Sequence, residues 1–109
     1  HALPALELYV TGDDEGAPIG FLGLAGSVVE ALFVDPSCHG RGVGRAFLDH
    51  ARRLKGSLKV DVNEQNPRAT AFYLKYGFVQ TGRSPLDSEG RPFPILHLAE
   101  PGAEKGTAE

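Results

Sequence analysis

The sequence predicts an α+β fold in which a mixed, mostly antiparallel sheet contains one parallel βαβ unit. Three short apolar runs separated by polar or glycine-rich turns predict three antiparallel strands in succession. A strand–helix–strand pattern follows over residues 28–62, and such a crossover makes its two strands parallel. With 109 residues, the chain is long enough for one domain with a single modest core.

The first three strands are predicted from their apolar residues and from the turns between them. The runs are Leu6 to Thr11, Ile19 to Leu24 and Val28 to Val34. The polar segment Gly12 to Gly16 joins the first two as a hairpin, and Asp35-Pro36 ends the third.

A helix is predicted over residues 43–54 and a strand over residues 58–62. Apolar residues recur at helical spacing in the first segment, and Gly56 is well placed to end that helix. In the second segment, apolar residues alternate with polar ones, as in a strand with one apolar face.

The second helix begins at Asn66-Pro67, because asparagine is a good N-cap and proline is tolerated at the first helical position. Gly77 ends it. Two more strands are predicted over residues 78–81 and 94–98, joined by a polar loop from Gly82 to Pro92. Residues 1–99 are expected to form the domain, and residues 100–109 a disordered tail, because Pro, Gly, Ala and Glu dominate there.

Composition excludes several classes of function. The net charge of −3 argues against broad nucleic-acid binding, which needs a basic face. No apolar run is long enough to span a membrane, and the histidines and the single cysteine show no metal-ligand spacing. One cysteine excludes an internal disulfide and is compatible with a reducing cytosol, so a cytoplasmic protein without a bound metal is expected.

The glycine segment from Cys38 to Arg45 is the strongest chemical signal. Its alternate glycines leave backbone N–H groups uncovered at the start of a helix, and two arginines add positive charge, which is typical of a phosphate site. A Rossmann site is disfavoured by the G-x-G-x-G spacing and by the five residues after the strand. A P-loop is excluded because no Lys-Ser or Lys-Thr follows the glycines.

Two motifs resemble those of the GNAT superfamily of acetyl-CoA-dependent N-acetyltransferases. His39-Gly40-Arg41-Gly42-Val43-Gly44 is similar to the family's Gln/Arg-x-x-Gly-x-Gly/Ala loop except at its first position. Residues 66–78 follow the family's Asn-x-x-Ala-x-x-x-Tyr-x-x-x-Gly-Phe helix, and the segment from Gly82 to Pro94 resembles a small bacterial subgroup. The resemblance implies a three-layer fold with helices on both faces of the sheet. The strand and helices with which the family begins are expected to be missing.

The resemblance implies direct transfer of an acetyl group from acetyl-CoA to a primary amine on a small molecule or a protein. It assigns Tyr73 as the general acid that protonates the leaving thiolate. Glu30 and Asp61 stay open as alternative general bases, beside a water chain. The residues that it assigns to the cofactor are Leu32, Phe33, Val34, His39, Gly40, Arg41, Gly42, Val43, Gly44, Arg45 and Asn66.

Two features of the sequence leave an alternative function open. His39 replaces the usual Gln or Arg, and part of the acceptor wall is expected to be missing. A weakly active or regulatory acyl-CoA-binding module is therefore the alternative to an active enzyme.

A homodimer is compatible with the resemblance. Cys38 is interpreted as an inert loop residue. Arg83, Asp87 and Arg91 are open between acceptor contact and loop decoration.

Overall fold

The computed structural model describes residues 6–101, which fall into two compact units divided between Gly56 and Ser57. The first unit contains β1 (Leu6–Gly12), β2 (Pro18–Ala25), β3 (Val28–Val34), a short 3₁₀ turn (Pro36–Cys38) and α1 (Val43–Lys55). The second contains β4 (Lys59–Asn63), α2 (Pro67–Tyr76), β5 (Val79–Ser84) and β6 (Ile95–Ala99). Within residues 6–101, neither helix has the length and apolar character that crossing a membrane requires.

In the first unit, β1, β2 and β3 form the predicted antiparallel succession. Tyr9, Leu22 and Leu32 lie opposite one another across the three strands. Leu22 is fully buried, as is Leu48 of α1, so the core of this unit lies between the sheet and the helix.

Two contacts attach the outer strand β1 to α1. The Tyr9 and His50 rings meet edge to face with centroids 5.1 Å apart, and Lys55 Nζ lies 2.6 Å from Glu7 Oε1. The opposite face of the sheet carries exposed apolar side chains from all three strands: Leu6, Leu8, Val10, Phe21 and Phe33. One face of this sheet is therefore packed, and the other is apolar and exposed in the described residues.

In the second unit, β6 lies between β4 and β5 and is antiparallel to both. Val60 pairs with Leu98 and Val62 pairs with Leu96, and all four side chains are buried. Asp61 and His97 alternate with them and therefore lie on the other face of the sheet.

The predicted elements are confirmed to within a few residues, with two corrections. The loop predicted from Gly82 begins later, because β5 continues to Ser84 and Gly82 pairs with His97. Glu100, predicted as part of the tail, is buried: its N–H donates to Leu58 O and its carboxylate accepts from Leu58 N–H, both at 2.9 Å. The rest of the predicted tail, from residue 102 onward, lies outside the described residues.

Candidate active site

The glycine segment connects β3 to α1 through two left-handed backbone positions. Gly40 has φ of 82° and Gly42 has φ of 81°, a conformation that glycine adopts without steric cost. A Cβ atom built on either glycine would meet nothing within 4 Å. The backbone is therefore uncovered at both positions, as close approach by a phosphate requires.

The start of α1 suits an anion. Gly42 is its N-cap and makes no side-chain capping hydrogen bond, and the first turn contains no acidic residue. The N–H groups of a first helical turn have no partner within the helix and carry the positive end of the helix dipole. Arg41 and Arg45 are exposed beside them. This segment, residues 39–45, is called the phosphate loop below.

His39 makes two contacts within the loop. Its Nε2 lies 2.9 Å from Val34 O, where the ring N–H donates to the carbonyl at the end of β3. Its backbone N–H donates to Pro36 O at 3.2 Å, and Arg41 N–H donates to Cys38 O at 3.3 Å. These bonds occupy the N–H groups of His39 and Arg41, so the donors expected for a phosphate are those of Gly40 and of the loop from Gly42 onward, and the His39 ring holds the loop against β3.

The β3 residues predicted to contact the cofactor differ in exposure. Leu32 and Val34 are half-buried, while the exposed Phe33 ring stacks on Phe21 with centroids 5.6 Å apart. Glu30 is exposed on the same strand. Cys38, beside the loop, is buried, with Sγ 3.8 Å from Ser37 Oγ.

Asn66 is confirmed as the N-cap of α2. Its Oδ1 accepts a hydrogen bond from Ala69 N–H at 3.1 Å, and its backbone carbonyl accepts from Thr70. The side-chain oxygen is thus used by the helix, which leaves the amide NH₂ as the group that can reach a ligand.

Tyr73 lies on the buried face of α2. Its side chain is 7% exposed, and its ring meets Phe72 and Phe78 edge to face at 5.2 and 5.3 Å. Burial raises the pKa of Tyr73 to about 12, because the low-dielectric surroundings disfavour the phenolate. The phenol is protonated at neutral pH, as any tyrosine is, and its burial makes it a weaker acid than an exposed tyrosine.

Asp61 takes part in a hydrogen-bonded chain that the sequence does not reveal. Its Oδ1 lies 2.8 Å from His97 Nδ1, and His97 Nε2 lies 2.7 Å from Ser84 Oγ. The three residues come from β4, β6 and β5. Neither His97 nor Ser84 was predicted. Their positions 13 residues apart on two strands form no local motif, and only the strand register brings them together.

Three polar residues of β5 and the loop after it bond to neighbours in the second unit. Arg83 forms a two-pronged ion pair with Glu64 at 2.8 and 2.9 Å. Asp87 accepts from the backbone N–H groups of Glu89 and Arg91 and pairs with the Arg91 side chain. The sequence leaves two roles open for these three residues, acceptor contact and loop decoration. Their contacts favour a structural role.

The chain belongs to the GNAT family of acetyltransferases. The family model described as an acetyltransferase (GNAT) domain matches residues 5–80. Acetyl-CoA is the acyl donor of this family, and the uncovered phosphate loop at the start of α1 fits the phosphates of such a donor. The predicted membership in this family is confirmed.

Particular relatives are similar over most of the chain. Peptidyl-lysine N-acetyltransferase YjaB of Escherichia coli K12 is 46% identical over 101 residues, which cover 93% of this chain and 69% of the relative. The solution structure of apo YjaB from E. coli has a TM-score of 0.80 at 46% identity and covers 88% of this chain. The crystal structure of nourseothricin acetyltransferase has a TM-score of 0.77 at 27% identity and covers 89% of this chain.

These similarities confirm the predicted fold class. The similarity covers only part of those two solved structures: this chain spans 65% of the length of each, slightly less than two thirds.

Proposed function

We propose that this chain transfers the acetyl group of acetyl-CoA to the ε-amino group of lysine in a protein. The acceptor is the one for which the YjaB relative is named, at 46% identity over 93% of this chain. The observation that carries the chemistry is Tyr73, which is buried on the helix whose motif supplies the family's general acid.

The phosphates of the donor would be held by the phosphate loop. The uncovered backbone at Gly42, the first turn of α1 beyond it and the exposed Arg41 side chain support this role. We retain the β3 backbone from Leu32 to Val34 and the Asn66 amide as further contacts, on the basis of the family resemblance.

Tyr73 would act as the general acid. Acetyl-CoA supplies a thioester, whose cleavage releases a thiolate that needs a proton. A phenol is protonated at neutral pH and can donate to that thiolate, but the burial that raises the pKa of Tyr73 to about 12 makes it a weaker acid than a free tyrosine. The ring packs against Phe72 and Phe78, which fixes the position of its hydroxyl oxygen and leaves the hydrogen free to rotate about the C–O bond.

For the general base we favour Asp61 over Glu30. The Asp61 carboxylate accepts from His97 Nδ1, which holds the imidazole in the tautomer whose Nε2 can accept a proton. Asp61 would thus act through His97, by orienting the imidazole and stabilising its charged form. Glu30 lies exposed on β3, and among residues 6–101 no histidine bonds to it.

The experiment is an acetyl-transfer assay with a lysine-containing peptide, following both CoA release and peptide mass. Tyr73→Phe removes the proton donor and keeps the ring, so we expect kcat to fall about 10²-fold with little change in the acetyl-CoA Kd. Tyr76→Phe is the matched control, since it removes a hydroxyl from the same helix at a half-buried position. Tight acetyl-CoA binding with no acetylated peptide would instead support the regulatory acyl-CoA-binding module.

We further propose that the protein is bacterial and cytoplasmic and that it forms a homodimer. Relatives from Escherichia coli and Salmonella typhimurium support a bacterial origin, and a single cysteine, buried in the structure, is compatible with the cytoplasm. A homodimer stays a prediction, and analytical ultracentrifugation over a range of concentrations tests it.

A further inference from the structure

Ser84, His97 and Asp61 form a continuous hydrogen-bonded chain on one face of the second unit. Ser84 Oγ lies 2.7 Å from His97 Nε2, and His97 Nδ1 lies 2.8 Å from Asp61 Oδ1. Since a carboxylate can only accept, Nδ1 carries the ring hydrogen and Nε2 presents its lone pair to the serine hydroxyl. The Ser84 O–H therefore donates to an imidazole that a carboxylate orients.

We propose that these three residues form an activated-serine site that accepts an acyl group from reactive esters or thioesters. The roles follow from the order of the bonds: Ser84 is the nucleophile, His97 is its general base, and Asp61 fixes the tautomer and stabilises the imidazolium. Such a set is defined by its geometry and is independent of the fold or sequence order in which it occurs.

The strands hold the three side chains in place. Asp61 lies directly opposite His97 across β4 and β6, and Gly82 lies opposite His97 on the β5 side. A Cβ atom at position 82 would lie 3.5 Å from His97 Cδ2, an ordinary van der Waals contact, so this position packs directly beside the ring. Thr81 Oγ1 donates to His97 O at 3.2 Å, which ties the histidine backbone to β5.

The chain is accessible to a reagent. The His97 side chain is 37% exposed and the Asp61 side chain is 65% exposed, and both lie on the face of the sheet opposite the buried valines and leucines. Ser84 is the last residue of β5 and is half-buried. An ester can therefore approach Oγ from solvent without unfolding of the unit.

The chemistry balances in two steps. Ser84 Oγ bonds to the acyl carbon while its proton moves to His97 Nε2. The C–O bond of the ester or the C–S bond of the thioester then breaks, and the alcohol or thiol leaves with that proton. A water molecule then attacks the acyl-serine, again giving a proton to His97 Nε2, which returns it to Ser84 Oγ as the acid departs. No oxidant or metal is needed.

Ser37 is an internal comparison. Its Oγ lies 3.2 Å from Asp35 Oδ2, so it has a carboxylate partner. A hydroxyl that donates directly to a carboxylate has no imidazole to take its proton, and it is therefore a poor nucleophile. If a nearby carboxylate alone were enough, Ser37 would react as readily as Ser84.

The test uses the full chain with p-nitrophenyl acetate, without acetyl-CoA or an amine acceptor. We expect release of p-nitrophenolate and, in samples quenched with acid during turnover, one added acetyl group on the peptide that contains Ser84. Ser84→Ala should abolish that label and Ser37→Ala should retain it. Asp61→Asn should slow labelling by about 10²-fold or more, because an amide favours the wrong imidazole tautomer.

A second variant keeps the test informative if Ser84→Ala does not fold. Ser84→Cys keeps a nucleophile at the same position and should be labelled on sulfur, whereas Ser84→Ala with an unchanged circular dichroism spectrum should not be labelled. Acetyl groups found only on lysines or the N-terminus, or an equal rate in Ser84→Ala, would overturn the proposal. Because neither acetyl-CoA nor an amine acceptor is added to the assay, its outcome is independent of whether the proposed lysine acetylation holds.

Discussion

Asp61 and His97 lie directly opposite one another on β4 and β6, and Asp61 Oδ1 accepts a hydrogen bond from His97 Nδ1 at 2.8 Å. The sequence indicates Asp61 as a candidate base and does not indicate that His97 lies beside it. The pair changes what the aspartate can do, because a carboxylate bonded to Nδ1 decides which imidazole nitrogen is free to accept a proton. Substitutions of Asp61 and of Glu30 can therefore distinguish the two candidate bases.

Replacing Asp61 by asparagine should lower kcat for lysine-peptide acetylation by about 10²-fold, the typical contribution of a general base. The asparagine amide can donate to Nδ1 and so favours the tautomer whose Nε2 is already protonated. Steady-state kinetics with Asp61→Asn and Glu30→Gln, at saturating acetyl-CoA, measure the effect. A large loss in Glu30→Gln with none in Asp61→Asn would reverse the assignment.

Tyr73 should make the folded state less stable in strong alkali. Its folded pKa is raised from 10.0 to about 12, so the folded state holds the phenolic proton more tightly than the unfolded state. The resulting stabilisation is complete below pH 10 and is lost as the pH rises towards about 12. The difference in tyrosinate absorbance between wild type and Tyr73→Phe should have its midpoint near 12, and a midpoint near 10 would show that the ring is not buried.

Gly42→Ala should weaken acetyl-CoA binding more than it weakens the fold. The left-handed φ of 81° costs an alanine about 1 kcal/mol, and the new methyl group covers the backbone on which the phosphate is expected to bind. Gly90→Ala is the matched control, since Gly90 has φ of 80° in a loop of the second unit. Urea denaturation should show similar losses for both variants, while only Gly42→Ala should raise the Kd for acetyl-CoA.

Asn66 can be tested for its two separate roles. Asn66→Ala removes the cap bonded to Ala69 N–H and should lower the free energy of unfolding by about 1 kcal/mol. Asn66→Asp keeps a capping oxygen and removes the amide NH₂, so stability should be retained. If the amide contacts the cofactor, Asn66→Asp should raise the KM for acetyl-CoA, and an unchanged KM would restrict Asn66 to capping.

The Glu64–Arg83 pair should contribute to stability only above moderately acidic pH. The hydrogen bond from Arg83 lowers the pKa of Glu64 below its ordinary value of 4.5. A carboxylate with a lowered folded pKa stabilises the protein above its unfolded pKa, and that contribution is lost as the pH falls through the folded value. Urea midpoints of wild type and Glu64→Gln should differ at neutral pH and converge in acid.

High salt provides the control for this pair. Both side chains are largely exposed, at 46% and 40%, so the contribution is small and is screened by salt. A difference in urea midpoint that persists in acid or in concentrated salt would show that Glu64 acts through packing and not through its charge.

Most of the elements were predictable because their signals are local. The alternation of Val60 and Val62 with polar residues indicates a strand by itself, and the Asn66-Pro67 pair indicates where α2 begins. The two corrections have non-local causes. Gly82 continues β5 because it pairs with His97, and Glu100 is ordered because Leu58 bonds to it from 42 residues away.

The candidate site also has features with local signals and features that depend on distant residues. By itself, the sequence determined the phosphate loop, the capped helix with Tyr73 and hence the family, because each is a motif whose spacing a helix or a turn converts directly into geometry. Only the tertiary structure decided that His39 holds the loop to β3, that Tyr73 is buried enough to raise its pKa, and that Ser84, His97 and Asp61 meet. The reason is physical: burial and strand register depend on residues far apart in the chain, and no local spacing records which of them become neighbours.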